Sequence, residues 1–234
     1  MGSKRFKGKL CAYCCIKEAL TGDHIFAREF FLKEHRGDLP QAPACEECNN
    51  AKSKLEHYLT ATLPFAGRHE FSDKNFTEHV PKRLNKNQKL HRHLSQNKFE
   101  ATLVDGGNKI KTLGLPLEEG SVESLFEFIV KGLAWYHWKV YLSFDSPVEI
   151  IILTRAGQEF FQEHLFSLHA KTRELINLGE GTVIYEGVQG VDCPEITLWR
   201  FHMYGGMLLG DSGGLSSTEI GAMSGPARIM GKGV

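Results

Sequence analysis

Cys11-Ala12-Tyr13-Cys14 and Pro43-Ala44-Cys45-Glu46-Glu47-Cys48-Asn49-Asn50-Ala51-Lys52 enclose Gly22-Asp23-His24-Ile25. These stretches decide how the N-terminal quarter of the chain is read. A Cys-x2-Cys turn can place both thiolates on one ion, and two such turns make a closed tetrahedral zinc site. Cys11, Cys14, Cys45 and Cys48 are therefore the expected structural zinc ligands. Cys15 competes with Cys14, but its spacing from Cys11 is the less regular match to the second pair. Cys193 stands alone and reads as a buried apolar side chain. Once the thiolates are assigned, an acid, an imidazole and an amide remain at Asp23, His24 and Asn49. Those groups suit a second, oxygen-ligated cation.

With 234 residues and 41% hydrophobic content, the chain can bury a proper core. No apolar run approaches a membrane span. The basic start lacks a following apolar stretch, so no secretory signal is expected. Together with the two-residue cysteine spacing, this favours reduced thiolates on zinc in a cytoplasmic protein over a pair of disulfides. Charge is unevenly spread. Residues 1–120 carry 20 Lys+Arg against 15 Asp+Glu, and residues 121–234 carry 8 against 13. Lys82, Arg83, Lys86, Lys89, Arg92 and Lys98 fall in one stretch with no acid. Such a run can neutralise phosphates, and it can equally be a solvated surface.

Periodicity divides the chain. A hairpin between the cysteine pairs, with a helical turn near 27–34, leads into a helix from Asn49 that Pro64 should end. Residues 65–98 are polar and carry no clear period. Phe99–Val104 and Lys109–Leu113 alternate around a turn and predict a hairpin. Ser121 should cap a helix over 121–140 with a wide apolar stripe. Val148–Leu153 predicts a buried strand. Thr154 should cap a second long helix running to Gly179. Strands are expected at Thr182–Tyr185, Glu195–Met203 and Met207–Leu209, and residues 211–234 read as a loose Gly/Ser-rich tail. The expected fold class is α+β. Its units are a metal module (1–64), a basic connecting segment (65–98), an α+β domain of unassigned role (99–210) and the tail (211–234). So small a metal module has little core of its own, and ligation should supply much of its folding free energy.

The order Cys-x2-Cys, Asp23-His24, then Cys45-x2-Cys48-Asn49 with Lys52 and Glu56 after it, resembles the HNH endonuclease family. The likeness is to its four-cysteine, zinc-stabilised branch, and it covers residues 10–60. The resemblance implies a ββα-metal core. It makes His24 the general base and places Asp23 and Asn49 on one catalytic Mg²⁺ or similar divalent ion. This chain has Phe26 where the family often has Pro, and Ser53 where a second histidine often follows the Asn. His57 is two turns from Asn49, about 12 Å along the axis, too far to share that ion.

The residues support that chemistry independently. Phosphodiester hydrolysis needs a base for water and stabilisation of phosphate charge, and a neutral imidazole and one oxygen-ligated cation supply these. Adjacent Asp23 and His24 leave an extended strand on opposite sides, so a bulge is expected to bring both to one phosphate. Each also has an ordinary structural role open to it: hairpin hydrogen bond, turn residue, helix cap. Lys52 and Lys54 join Lys82, Arg83, Lys86, Lys89 and Arg92 as candidate phosphate contacts. The Trp135–Trp138 cluster and the strand Trp199–His202 read as packed core. The expected partner is nucleic acid, with DNA implied by the family. A protein partner or a homodimer through the acidic C-terminal half is left open. The alternative function is a non-catalytic zinc module binding nucleic acid or protein.

Overall fold

Strands β1 (Thr21–His24) and β2 (Gln41–Ala44) pair antiparallel, and helix α1 (Glu46–Ala66) starts after a single intervening residue, Cys45. They belong to a computed structural model that describes residues 5–105, 108–166, 173–211 and 214–230. Two 3-10 turns, Arg28–Phe30 and Lys33–His35, fill the connection between the strands. Gly22 is required by close approach. A Cβ there would meet the Phe6 ring at 2.4 Å.

Pro64 does not end α1, which runs to Ala66. A proline in a helix leaves the carbonyl four residues back without its donor. That carbonyl belongs to Thr60, and Arg83 Nη1 donates to it at 2.7 Å. The helix therefore continues past the proline without an orphaned acceptor.

Residues 65–98 are helical, in three short pieces: α2 (Glu70–Glu78), α3 (Val80–Lys86) and α4 (Gln88–Gln96). His69 Nδ1 accepts from Phe71 N at 3.3 Å and Asn87 Oδ1 from Leu90 N at 3.1 Å, capping the first and last. Asn75 Nδ2 donates to the Glu29 and Phe30 carbonyls at 3.0 Å, and Arg83 Nη2 to Glu29 O at 2.7 Å. These bonds clamp the connection between β1 and β2.

Next come the hairpin β3 (Phe99–Asp105) and β4 (Asn108–Gly114), then α5 (Ser121–Trp138). Gly120 holds the N-cap position, and the Ser121 hydroxyl bonds back to Glu118 O at 2.6 Å. β5 (Val148–Leu153) is an edge strand with Ile151 and Ile152 more than a third exposed, not the buried strand expected. The second long helix is also corrected. After α6 (Arg155–Phe160) and a π turn over Phe161–Phe166, the chain enters strand β6 (Arg173–Leu178). Part of the expected helix, residues 167–172, lies outside the described residues.

β7 (Val183–Gln189), β8 (Thr197–Met203) and β9 (Met207–Asp211) follow. The supposed tail contains β10 (Gly214–Ser224) and a short helix α7 (Ala227–Met230). β10 is the hub of an eight-stranded sheet. Its first half pairs with β9 and, at Leu215, with β3. Its second half runs between β5 and β8, and β7 and β6 continue from β8.

α5 lies between the zinc-motif segment and this sheet. On one side Phe128 meets Tyr13 edge-on at 5.2 Å and Trp135 meets Phe6 at 5.9 Å. On the other Phe126 meets Phe201 at 5.0 Å. Phe26, from just beyond β1, reaches Tyr185 at 5.6 Å. One hydrophobic cluster thus spans from Phe6 to Ala222, and the composition change near residue 65 does not interrupt it. Fully burying each of these phenylalanines is worth about 1.5–3 kcal/mol. Most of the Trp135–Trp138 cluster packs inward, with Trp138 tilted against Trp199 at 4.9 Å and His137 Nε2 bonded to Tyr185 Oη at 2.9 Å, while Tyr136 turns to the cleft that holds His24. No helix among the described residues is long and apolar enough to cross a membrane.

Candidate metal centre and adjoining cleft

The zinc quartet forms from two turns. Leu10 and Glu18 bridge the base of the first, Cys15 N bonds Cys11 O at 3.0 Å, and Ala12 N reaches Pro43 O at 2.9 Å. Cys45 holds the N-cap position of α1 and Cys48 lies in its first turn, where the helix dipole favours negative sulfur. All four sulfurs lie within 4.8 Å of one another. Cys14 Sγ and Cys45 Sγ are 3.9 Å apart. Tetrahedral zinc with Zn–S of about 2.3 Å needs sulfurs about 3.8 Å apart, so the donor set fits a structural zinc. Burial, then the neighbouring thiols, push Cys48 upward, which is the electrostatic cost a cation would remove. Against the cost of burial, hydrogen bonds from the Lys17 and Ile16 backbone bring Cys14 down to about 7.

Cys15 is outside the quartet. Its backbone is left-handed (φ 55°), and burial holds its thiol up at about 11. Cys193 is half-buried rather than buried, with Sγ 3.3 Å from Glu195 Oε2.

Beside the quartet lies a buried polar network. Lys52 is fully buried; its Nζ donates to Asp23 Oδ2 at 3.0 Å, to His24 O at 2.8 Å, and to Glu56 Oε1. Tyr13, from inside the first cysteine turn, donates its hydroxyl to the same Asp23 Oδ2 at 2.5 Å. Burial holds Glu56 up at about 6 even with Lys52 against it. Burial and then the Asp23 charge keep the Tyr13 phenol well above its usual value. β1, the metal knuckle and α1 are thus tied through one carboxylate oxygen of Asp23. Lys52→Met should lower stability by about 3–5 kcal/mol, because it leaves Asp23 and Glu56 buried without their cation. Denaturant midpoints measure this, and an unchanged midpoint would show that the network bears no load.

Asp23 Oδ1 makes no hydrogen bond among the described residues, nor does the half-buried Asn49 side chain. Asn49 precedes Lys52 by three residues, so both rise from the side of α1 that faces β1. A carboxylate and an amide oxygen on facing elements are a hard donor set suited to Mg²⁺.

His24 sits on the other side of the strand. The β1–β2 register is unbroken from Thr21 to His24, so the expected bulge is not within these four pairs. His24 faces Gln41, its direct cross-strand partner, with His24 Nε2 and Gln41 Nε2 3.0 Å apart. Both line a cleft of about 350 Å³ with Arg5, Arg36 and Asp38. Burial, then Arg28, push the imidazole below its ordinary value, so it is neutral near pH 7.

The candidate phosphate contacts separate. Lys52 is buried in the network and is not at the surface. Arg83 is committed to the Thr60 and Glu29 carbonyls. Lys54, Lys82, Lys86, Lys89 and Arg92 are exposed. His57 is exposed and two turns from Asn49. The sequence did not single out Tyr13, Arg36 or Gln41 for the site. Tyr13 is masked by its position between two cysteines, and Gln41 is visible only through the strand register.

Compared with models of known families, with curated proteins and with solved structures, the chain matches none.

Proposed function

We propose that this chain is a metal-dependent endonuclease of the HNH type that hydrolyses phosphodiester bonds in nucleic acid, with DNA as the first substrate to try. The observation that carries the reading is the local architecture. An antiparallel pair and a helix, closed by four thiolates, set His24 in an open cleft and Asp23 and Asn49 on facing elements. Zinc folding alone requires none of those three.

In this reading Asp23 Oδ1 and the Asn49 amide oxygen would hold a divalent ion, which would supply charge stabilisation for the phosphate and the leaving oxygen. Asp23 and His24 leave β1 on opposite sides, so in this reading the scissile phosphate spans the end of the strand, with His24 taking the proton of the attacking water on the cleft side. The Gln41 amide nitrogen, 3.0 Å from His24 Nε2, donates to that nitrogen's lone pair, so Nδ1 carries the ring proton and Nε2 is the basic atom, which the attacking water takes over from Gln41. Lys52 and Tyr13 hold Asp23 in place through Oδ2, and Lys52 also fixes the end of β1 through the His24 carbonyl.

Supercoiled plasmid supplies the direct test. The protein should nick it with Mg²⁺, lose that activity in EDTA, and regain it when Mg²⁺ alone is restored. Zinc content should be followed throughout, because the buried quartet releases its ion more slowly than an oxygen site. Equal cleavage with and without EDTA, or no cleavage of DNA or RNA under any divalent ion, would overturn the proposal.

A further inference from the structure

The cleft that holds His24 is one of three in series. Arg36 lines both it and a second cleft of about 330 Å³, which also carries Lys33, Lys82 and His79. His57 and Asn87 line both the second and a third cleft of about 320 Å³, bordered by Lys54, Lys89 and His93. The series leads from His24, past the connection between β1 and β2, along the exposed side of α1 to α4.

Its charge is one-sided. Each cleft has one carboxylate, Asp38, Glu29 or Glu118, against at least two Lys or Arg side chains. Lys33, Lys54, Lys82 and Lys89 are exposed and have no ion-pair partner among the described residues. Four unpaired ammonium groups along one furrow repel each other, and an anionic strand laid among them relieves that repulsion. Lys86, Arg92 and Lys98 come from the same basic stretch of sequence but line none of the three clefts.

We propose that these joined clefts are the track for the nucleic-acid backbone, with Arg36 at the hand-over to His24 and Lys33, Lys82, Lys54 and Lys89 along its length. The proposal deepens the nuclease reading and rests on it for the direction of the track. The binding itself can be tested apart from cleavage. Phosphate contacts act on all sequences alike, and each released counterion contributes about 0.9 to the slope of log K against log salt on duplex DNA.

The experiment compares two full-length variants that each lose three charges: Lys33/Lys82/Lys89→Gln on the track, and Lys86/Arg92/Lys98→Gln off it. Binding of a labelled DNA duplex is measured over a range of salt in EDTA, so that no cleavage occurs, with zinc content and melting recorded for both. The track variant should flatten the slope by about 2.7 units while the other keeps the wild-type slope. Equal loss in both variants, or loss only in the off-track one, would overturn the track. So would wild-type protein that does not bind DNA at all. Binding that follows the track without any metal-dependent cleavage would uphold the track and remove the nuclease reading.

Discussion

Cys45→Ser protein should purify with less than one equivalent of zinc and melt far below the wild type. Cys45 is buried, is one of four converging sulfurs, and holds the N-cap position of α1. Structural zinc in small motifs is worth about 10–16 kcal/mol of apparent binding free energy at neutral pH. That is comparable to the whole stability of an ordinary domain, about 5–15 kcal/mol. Opening the quartet should therefore release the first turn and, through Tyr13, disturb the Asp23 network as well. Cys15→Ser is the matched control and should keep its zinc, since Cys15 is outside the quartet. Metal analysis together with thermal melting reads both. A Cys45→Ser protein with full zinc and an unchanged melting curve would remove the metal assignment.

His24→Ala should lower cleavage by about 10²–10⁴-fold while leaving DNA affinity close to wild type. The imidazole acts on the attacking water, and its only side-chain hydrogen bond among the described residues is to Gln41, so the fold loses little. Asp23→Ala and Asn49→Ala should behave differently, raising the Mg²⁺ concentration needed for half-maximal rate. Single-turnover rates against Mg²⁺ separate the two patterns. Cleavage by His24→Ala at the wild-type rate would show that the base lies elsewhere. If Asp23→Ala lost activity equally at all Mg²⁺ levels, Asp23 would be acting through the Lys52 network rather than as a ligand.

The N-terminal elements were legible because their chemistry is local. Cysteine spacing, a hairpin between the pairs and a helix close after them each specify themselves over a few residues, although the helix begins at Glu46, three residues before the expected Asn49. α5 was legible for the same reason, its apolar stripe being long and regular. The failures share a physical cause. β6 carries Leu175, Ile176 and Leu178, which extend a helical stripe as well as they alternate on a strand; only pairing with β7 decides. β10 reads as a tail because Gly and Ser are frequent in it. Yet Gly221 is small for a packing reason, since a Cβ there would lie 2.9 Å from the Leu153 side chain. Lys52 looked like a phosphate contact because the sequence shows a charge but not its burial. The three joined clefts arise where the β1–β2 connection meets α1, α3 and α4, and no linear spacing encodes that.

The central place of β10 has a bearing on synthesis. Among the described residues it is the last of ten strands to leave the ribosome, yet β3, β5, β8 and β9 all pair with it. The cysteine motifs emerge long before, so the knuckle can fill with metal while the sheet behind α5 still has no hub. Until residues 214–224 arrive, those four strands expose unpaired edges, the state most open to misassembly or proteolysis. A chain stopped short of β10 should therefore be cleared rather than accumulate as a loose cutter of nucleic acid. Where the reading as a nuclease holds, the order of translation itself keeps an immature enzyme from lasting.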